Sequence, residues 1–282
     1  MYAITGATGH VGGAAARELL ARGERVRAVV RDPAAAKTWI DAGAETSVAD
    51  LGDRAALAEA FRGCRAAFVM LPTDPAADDA AHRALVGSIA GAVRDSGVPH
   101  VVMLSSLGAE LAEGTGPVRW LHHLENALRQ TGVLLTAVRS GHFQEKAEAV
   151  LNAARGAGVY PVFGDSADTS VPMIATRDVG RVAAEALLTP PARSEVVDLD
   201  SPSYTERQVA GELAAVLGRP LQVVTVPREQ WIPSMVEAGL PPQLARELAE
   251  MYDAVERGLL RPAGDRRVAC PTGIGETLRR LV

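Results

Sequence analysis

Gly6, Gly9 and Gly12 stand three apart in TGATGHVG, Thr5 to Gly12, between the short apolar run MYAI and an amphipathic stretch. A strand-to-helix turn with this spacing brings bare backbone close to a diphosphate and aims the first unpaired helical N–H groups at its charge. Gly6, Thr8, Gly9, His10, Val11 and Gly12 are therefore candidate phosphate contacts, and nucleotide binding is the first functional reading. Other side chains able to orient a reacting group or move a proton are scattered: Ser105 and Ser106, His122 and His123, and His142 alone. Cys64 and Cys270 are too few for a disulfide framework and lack metal-ligand spacing, so two buried or incidental thiols and no metal are expected.

Alternating strand and helix signals position these residues. Tyr2 to Thr5 reads as a buried strand, after which Val11, Ala15 and Leu19 recur four apart on one helical face that Gly23 ends. Val26 to Val30 is a second strand, and Asp32-Pro33 reads as a cap with proline at the first helical position. Thr46 to Ala49, Ala66 to Leu71, His100 to Leu104 and Leu134 to Val138 follow as strands. Helices are read between them near Arg54 to Phe61, along Ala81, Leu85, Ile89 and Val93, and after Gly116-Pro117. The fold class is α/β: a doubly wound parallel sheet with a smaller, interleaved C-terminal lid, and ligands at the carboxyl ends of the strands. Residues 1–140 are read as the nucleotide-binding core, with returning elements around 171–205. Residues 141–170 and 206–282 are read as the lid, helical at Gln144 to Ala154 and extended at Val159 to Phe163.

Composition narrows the partners. The 282 residues carry 29 Lys plus Arg against 34 Asp plus Glu, a formal charge of −5, so no electrostatic footprint for nucleic acid or an anionic membrane is present. No apolar run approaches the ~18 residues of a membrane span and no signal peptide precedes the first strand, so a cytoplasmic protein is expected. Monomer and homodimer both remain open.

Five segments in order resemble the NmrA-like branch of the atypical short-chain dehydrogenases/reductases: ITGATGHVGG, VRAVVRDP, GVPHVVMLSSLGA, LENALRQTGVLLTAVRSGHFQE and VPMIATRDVGRVAAEAL. The resemblance runs along nearly the whole chain. It implies a bound NAD(P), and the residue after the second strand chooses between the two forms. A free ribose is held there by an acid, a 2′-phosphate by a cation. Arg31 occupies that point with Lys37 near in sequence, which favours NADP(H), and Asp32 is assigned to the helix cap. The resemblance further places Asp50 and Leu51 near the adenine, and Leu71, Pro72 and Thr73 beside the pyrophosphate and nicotinamide ribose, with Ser105 and Ser106 at the end of the fifth strand. It brings the loop holding His142 and Phe143 over the nicotinamide, as substrate contacts, and gives Arg139 a structural role with a carboxylate such as Glu125.

The common members of this superfamily reduce a carbonyl with Ser, Tyr and a Lys four residues beyond, Tyr donating the proton. Aligned on LENALRQTG, those Tyr and Lys positions fall on Pro117 and Leu121, and neither passes a proton. An isolated ketone would leave an alkoxide in need of an acid, whereas a quinone or conjugated acceptor leaves a delocalised anion that water can protonate. The reading is thus an NADP(H)-dependent oxidoreductase acting on a small quinone-like or conjugated aromatic substrate. Ser105, His122 and His142 are the candidate catalytic side chains. His122 lies at the edge of the Leu121 stripe, where a plain border role is equally open. The alternative function is a catalytically silent NADP(H)-binding redox sensor of the NmrA type.

Overall fold

A computed structural model describes residues 1–282. The first half alternates strictly: β1 (Tyr2–Ile4), α1 (His10–Ala21), β2 (Val26–Val30), α2 (Ala36–Asp41), β3 (Glu45–Val48), α3 (Arg54–Phe61), β4 (Ala66–Val69), α4 (Asp79–Ser96), β5 (His100–Ser106), α5 (Val118–Gln130) and β6 (Leu134–Ser140). After it come β7 (His142–Phe143), α6 (Leu151–Gly156), β8 (Val159–Val162), β9 (Ser170–Ile174), α7 (Thr176–Leu188), β10 (Glu195–Asp200), β11 (Ser203–Thr205) and α8 (Glu206–Leu217). The chain closes with β12 (Gln222–Thr225), α9 (Trp231–Glu237), α10 (Pro242–Glu256), β13 (Arg266–Ala269) and α11 (Ile274–Leu281).

Eight strands form one sheet in the order β13-β10-β6-β5-β4-β1-β2-β3, every neighbouring pair parallel. Strand alternation sends Tyr2 and Ile4 to one face and Ala3 to the other, so both faces are apolar. One is covered by α1 and α7 through Val11, Ala15, Leu19, Val179 and Ala183, the other by α3, α4 and α5 through Leu57, Phe61, Ile89, Leu124 and Leu128. This is the doubly wound α/β fold read from the alternation, and its strand order reverses between β1 and β4, where such sheets open a ligand crevice.

The lid is built from what the sheet leaves over. β7, β9 and β11 make a small sheet, and β8 and β12 pair beside it. Tyr160, Val209, Leu213, Ile274 and Leu278 form a core beneath it, and Trp231, Met235 and Ala245 a smaller one at α9 and α10. Two boundaries differ from expectation. The helix expected at Gln144 to Ala154 is a 3-10 turn over Gln144–Val150 followed by α6, with the buried Gln144 amide donating to Met173 O (3.0 Å) and Thr272 O (2.8 Å). Residues 206–282 do not lie wholly in the lid: Arg266–Ala269 is the outermost strand of the central sheet, in register with Val197–Asp200. The segment RRVA hides its strand character because an edge strand keeps one flank in water and tolerates the charges.

Candidate active site

The glycine loop has the shape its spacing predicts. Gly6 takes φ +61°, and Gly9 N donates to Gly6 O at 2.9 Å as α1 begins. A Cβ on Gly12 would stand 2.4 Å from Gly6 O and 2.7 Å from Thr5 O, so only glycine lets the helix start this close to the strand end. No side chain caps α1, which leaves its first N–H groups free for an anion. These features fit a dinucleotide diphosphate.

On the adenosine side a cleft of about 380 Å³ runs between this loop and α2. Asp32 accepts from Ala34 N at 2.9 Å, the capping role expected of it. Arg31 is exposed at the end of β2. Lys37 turns away from the cleft to Asp41, at 2.9 and 3.2 Å, so the structure does not bring it to the nucleotide. Arg17 lines the cleft instead, its guanidinium 5.9 Å from the Trp39 ring centroid. Sequence reading missed Arg17. The available signal was its place off the Val11, Ala15, Leu19 face, one turn beyond Gly13.

At the carboxyl ends of β3 and β4, Asp50 accepts from Gly52 N at 2.8 Å, Leu51 is half-buried, Leu71 is buried, Pro72 half-buried and Thr73 exposed. A second cleft, about 310 Å³, joins the glycine loop to Met70, Leu104, Phe143 and Lys146. His10 reaches across it to Glu148 at 3.5 Å. Glu145, which also lines it, takes both Thr176 N and Thr176 Oγ1 and so caps α7 from a distant segment.

Beyond Phe143 lie two larger cavities. One, about 490 Å³, is bounded by Ser106, His142, Phe143, Lys146, Met251 and Tyr252. The other, about 520 Å³ and mostly apolar, adds Tyr160, Phe163 and Met235 to the shared His142, Lys146 and Tyr252. The Lys146 charge, and after it burial, holds the His142 imidazole well below the usual histidine range, so it is neutral at neutral pH and is no imidazolium acid. Burial, then Glu206, pushes the Tyr252 hydroxyl up to about 12, which keeps it a neutral donor.

Two candidates face elsewhere. Ser105 Oγ donates to Glu125 Oε1 at 2.6 Å, inside a buried cluster in which Arg139 grips both Glu125 oxygens at 2.9 Å. Alternation then turns the neighbouring Ser106 toward the cavity, where its hydroxyl donates to Leu107 O at 3.0 Å. His122 is tied to Ala109 O and to Asn126 Nδ2, both at 2.9 Å, and borders none of these cavities. Pro117 is the N-cap of α5 and Leu121 lies in its first turns.

A doubly wound sheet with an uncapped glycine-rich helix start, a cationic rim and an apolar-walled cavity defines a nucleotide-binding protein of the dehydrogenase/reductase type. The chain belongs to the NmrA-like family, whose profile matches residues 2–259. It is 30% identical to an NAD(P)H azoreductase of Xenophilus azovorans over 89% of this chain and 86% of that one. With quinone oxidoreductase 2 of Escherichia coli it shares 27% identity over 92% and 89%. Its fold superposes on the Citrobacter sp. triphenylmethane reductase complexed with NADP(H) with a TM-score of 0.83 at 24% identity, covering 100% of both chains. No helix is long and apolar enough to cross a membrane.

Proposed function

We propose that this chain is an NADP(H)-dependent reductase that passes hydride to a small quinone-like or conjugated aromatic acceptor. The observation that carries the reading is the pair of largely apolar cavities that share Lys146, and in one case Phe143, with the cofactor cleft. The names of the relatives, an azoreductase and a quinone oxidoreductase, agree with flat conjugated acceptors.

When bound, the reduced nicotinamide supplies the hydride. The glycine loop and the α1 N-terminus hold its diphosphate. Arg17, which lines the cleft, and Arg31, exposed at the end of β2, hold the 2′-phosphate, and Phe143 separates nicotinamide from acceptor. The cavity walls orient the acceptor and exclude water, the work left to a protein when the product anion is delocalised. Purified protein given NADPH and a panel of quinones, enones and azo compounds should oxidise NADPH with at least one class. No consumption with any of them, together with a change of association state on NADPH binding, would replace this reading with the sensor.

A further inference from the structure

The cofactor cleft and both acceptor cavities meet at one side chain. Lys146 is the only residue that borders all three. It lies four residues beyond His142, is half-buried, and pairs through Nζ with Glu206 Oε1. The second Glu206 oxygen accepts from the buried Tyr160 hydroxyl at 2.7 Å, so the carboxylate is held from both sides and fixes the ammonium in turn. An ammonium carries three donors. One goes to Glu206, which leaves two for a ligand in the space Lys146 borders.

Arg261 also borders the cavity of about 490 Å³, and the nearby carboxylates are committed elsewhere. Glu145 caps α7 and Glu148 meets His10. Glu256, on the far wall, accepts from Asp165 N at 3.1 Å. His142 is held neutral by Lys146 and then by burial, so the Lys146 ammonium, paired with Glu206, is the cation facing this space. Tyr252 faces it from α10 as a neutral hydroxyl.

We propose that the Lys146 ammonium holds the oxyanion that develops on a carbonyl-bearing acceptor and then donates the proton that completes its reduction. The inference rests on the reductase reading above. Hydride from the reduced nicotinamide enters one end of the conjugated system, and the displaced electron pair collects on the oxygen at the other end. An N–H bond of Lys146 breaks as the O–H bond forms, and the amine regains its proton from solvent. Quinones and enones, whose oxygen reaches Lys146, are then favoured over acceptors without one.

The test uses 4-nitrophenol, whose phenolate is coloured, so ionisation in the cavity is read without any nicotinamide. Wild-type protein should lower the pH at which the bound probe ionises by about one unit, as an adjacent cation does. Lys146→Arg should keep that shift, while Lys146→Gln and Lys146→Met lose it. The double variant Lys146→Gln/Glu206→Gln, which strands no carboxylate, should behave as Lys146→Gln. In turnover with a quinone, Lys146→Gln should lower kcat about 100-fold, the scale of a lost general acid. An unshifted probe in wild type, or wild-type kcat in Lys146→Gln, overturns the proposal and leaves the reductase reading standing. A wild-type protein that reduces no quinone at all removes that reading and this inference with it.

Discussion

Arg17 lines the cleft beside the glycine loop and packs on the Trp39 indole face, while Arg31 stands exposed at the end of β2. A charge-assisted contact to phosphate is worth roughly 1.5–3 kcal/mol, so Arg17→Gln should weaken NADPH binding about tenfold and leave NADH binding nearly unchanged in fluorescence titrations. Lys37→Gln should cost less, since its ammonium is spent on Asp41. Arg31 was named because the residue after the second strand has a fixed place in the fold. Arg17 was not, because its partner Trp39 lies on another helix. His100 is the residue through which acid acts. It is buried at the start of β5 with Nε2 on Thr136 Oγ1 at 3.1 Å, and burial lowers its pKa from 6.5 to about 4. The folded pKa lies below the unfolded one, so its stabilising contribution is complete above pH 6.5 and is lost as pH falls toward 4, up to about 3 kcal/mol. His123 and His142 shift the same way. Urea midpoints should fall between pH 7 and pH 4.5, and less steeply in His100→Gln.

Helix α10 lines both larger cavities through Leu248, Tyr252 and Val255, and Arg119 seats it on the core through Glu247 and, at 3.9 Å, Glu250. Arg119 at the start of α5 donates to Glu247 Oε1 at 2.9 Å and also meets Glu247 Oε2, Glu247 being only 7% exposed. Arg119→Ala strands that carboxylate with Gln243 alone at 2.8 Å. It should cost about 2 kcal/mol in urea unfolding and raise the acceptor KM more than the NADPH dissociation constant. Glu247→Gln in the same background should recover part of the stability. The long elements of the core were legible from their period and caps, Arg54–Phe61 to the residue. The short strands β7, β9, β11 and β12, two to five residues each, were not, because so few residues carry no period and exist only by pairing, the first three with one another and β12 with β8.

The C-terminus stitches lid and core into one unit. Thr272 N donates to Asp178 at 3.0 Å, Thr272 O accepts from Gln144, and α11 buries Ile274 and Leu278 under the lid while β13 extends the sheet. Truncation after residue 262 should therefore abolish the cooperative thermal transition seen by calorimetry, whereas a detachable lid would leave the core transition intact. The amino-acid sequence by itself determined the parallel sheet, the glycine loop and the Asp32 cap. Each is set by neighbours within one turn or one strand, where local geometry decides. The tertiary structure alone decided that Ser106 and not Ser105 faces the cavity, that Arg17 reaches the nucleotide cleft, and that Lys146 stands where three cavities join. Those outcomes depend on contacts such as Lys146 with Glu206, 60 residues apart, and Arg119 with Glu247, 128 apart, which no local pattern encodes.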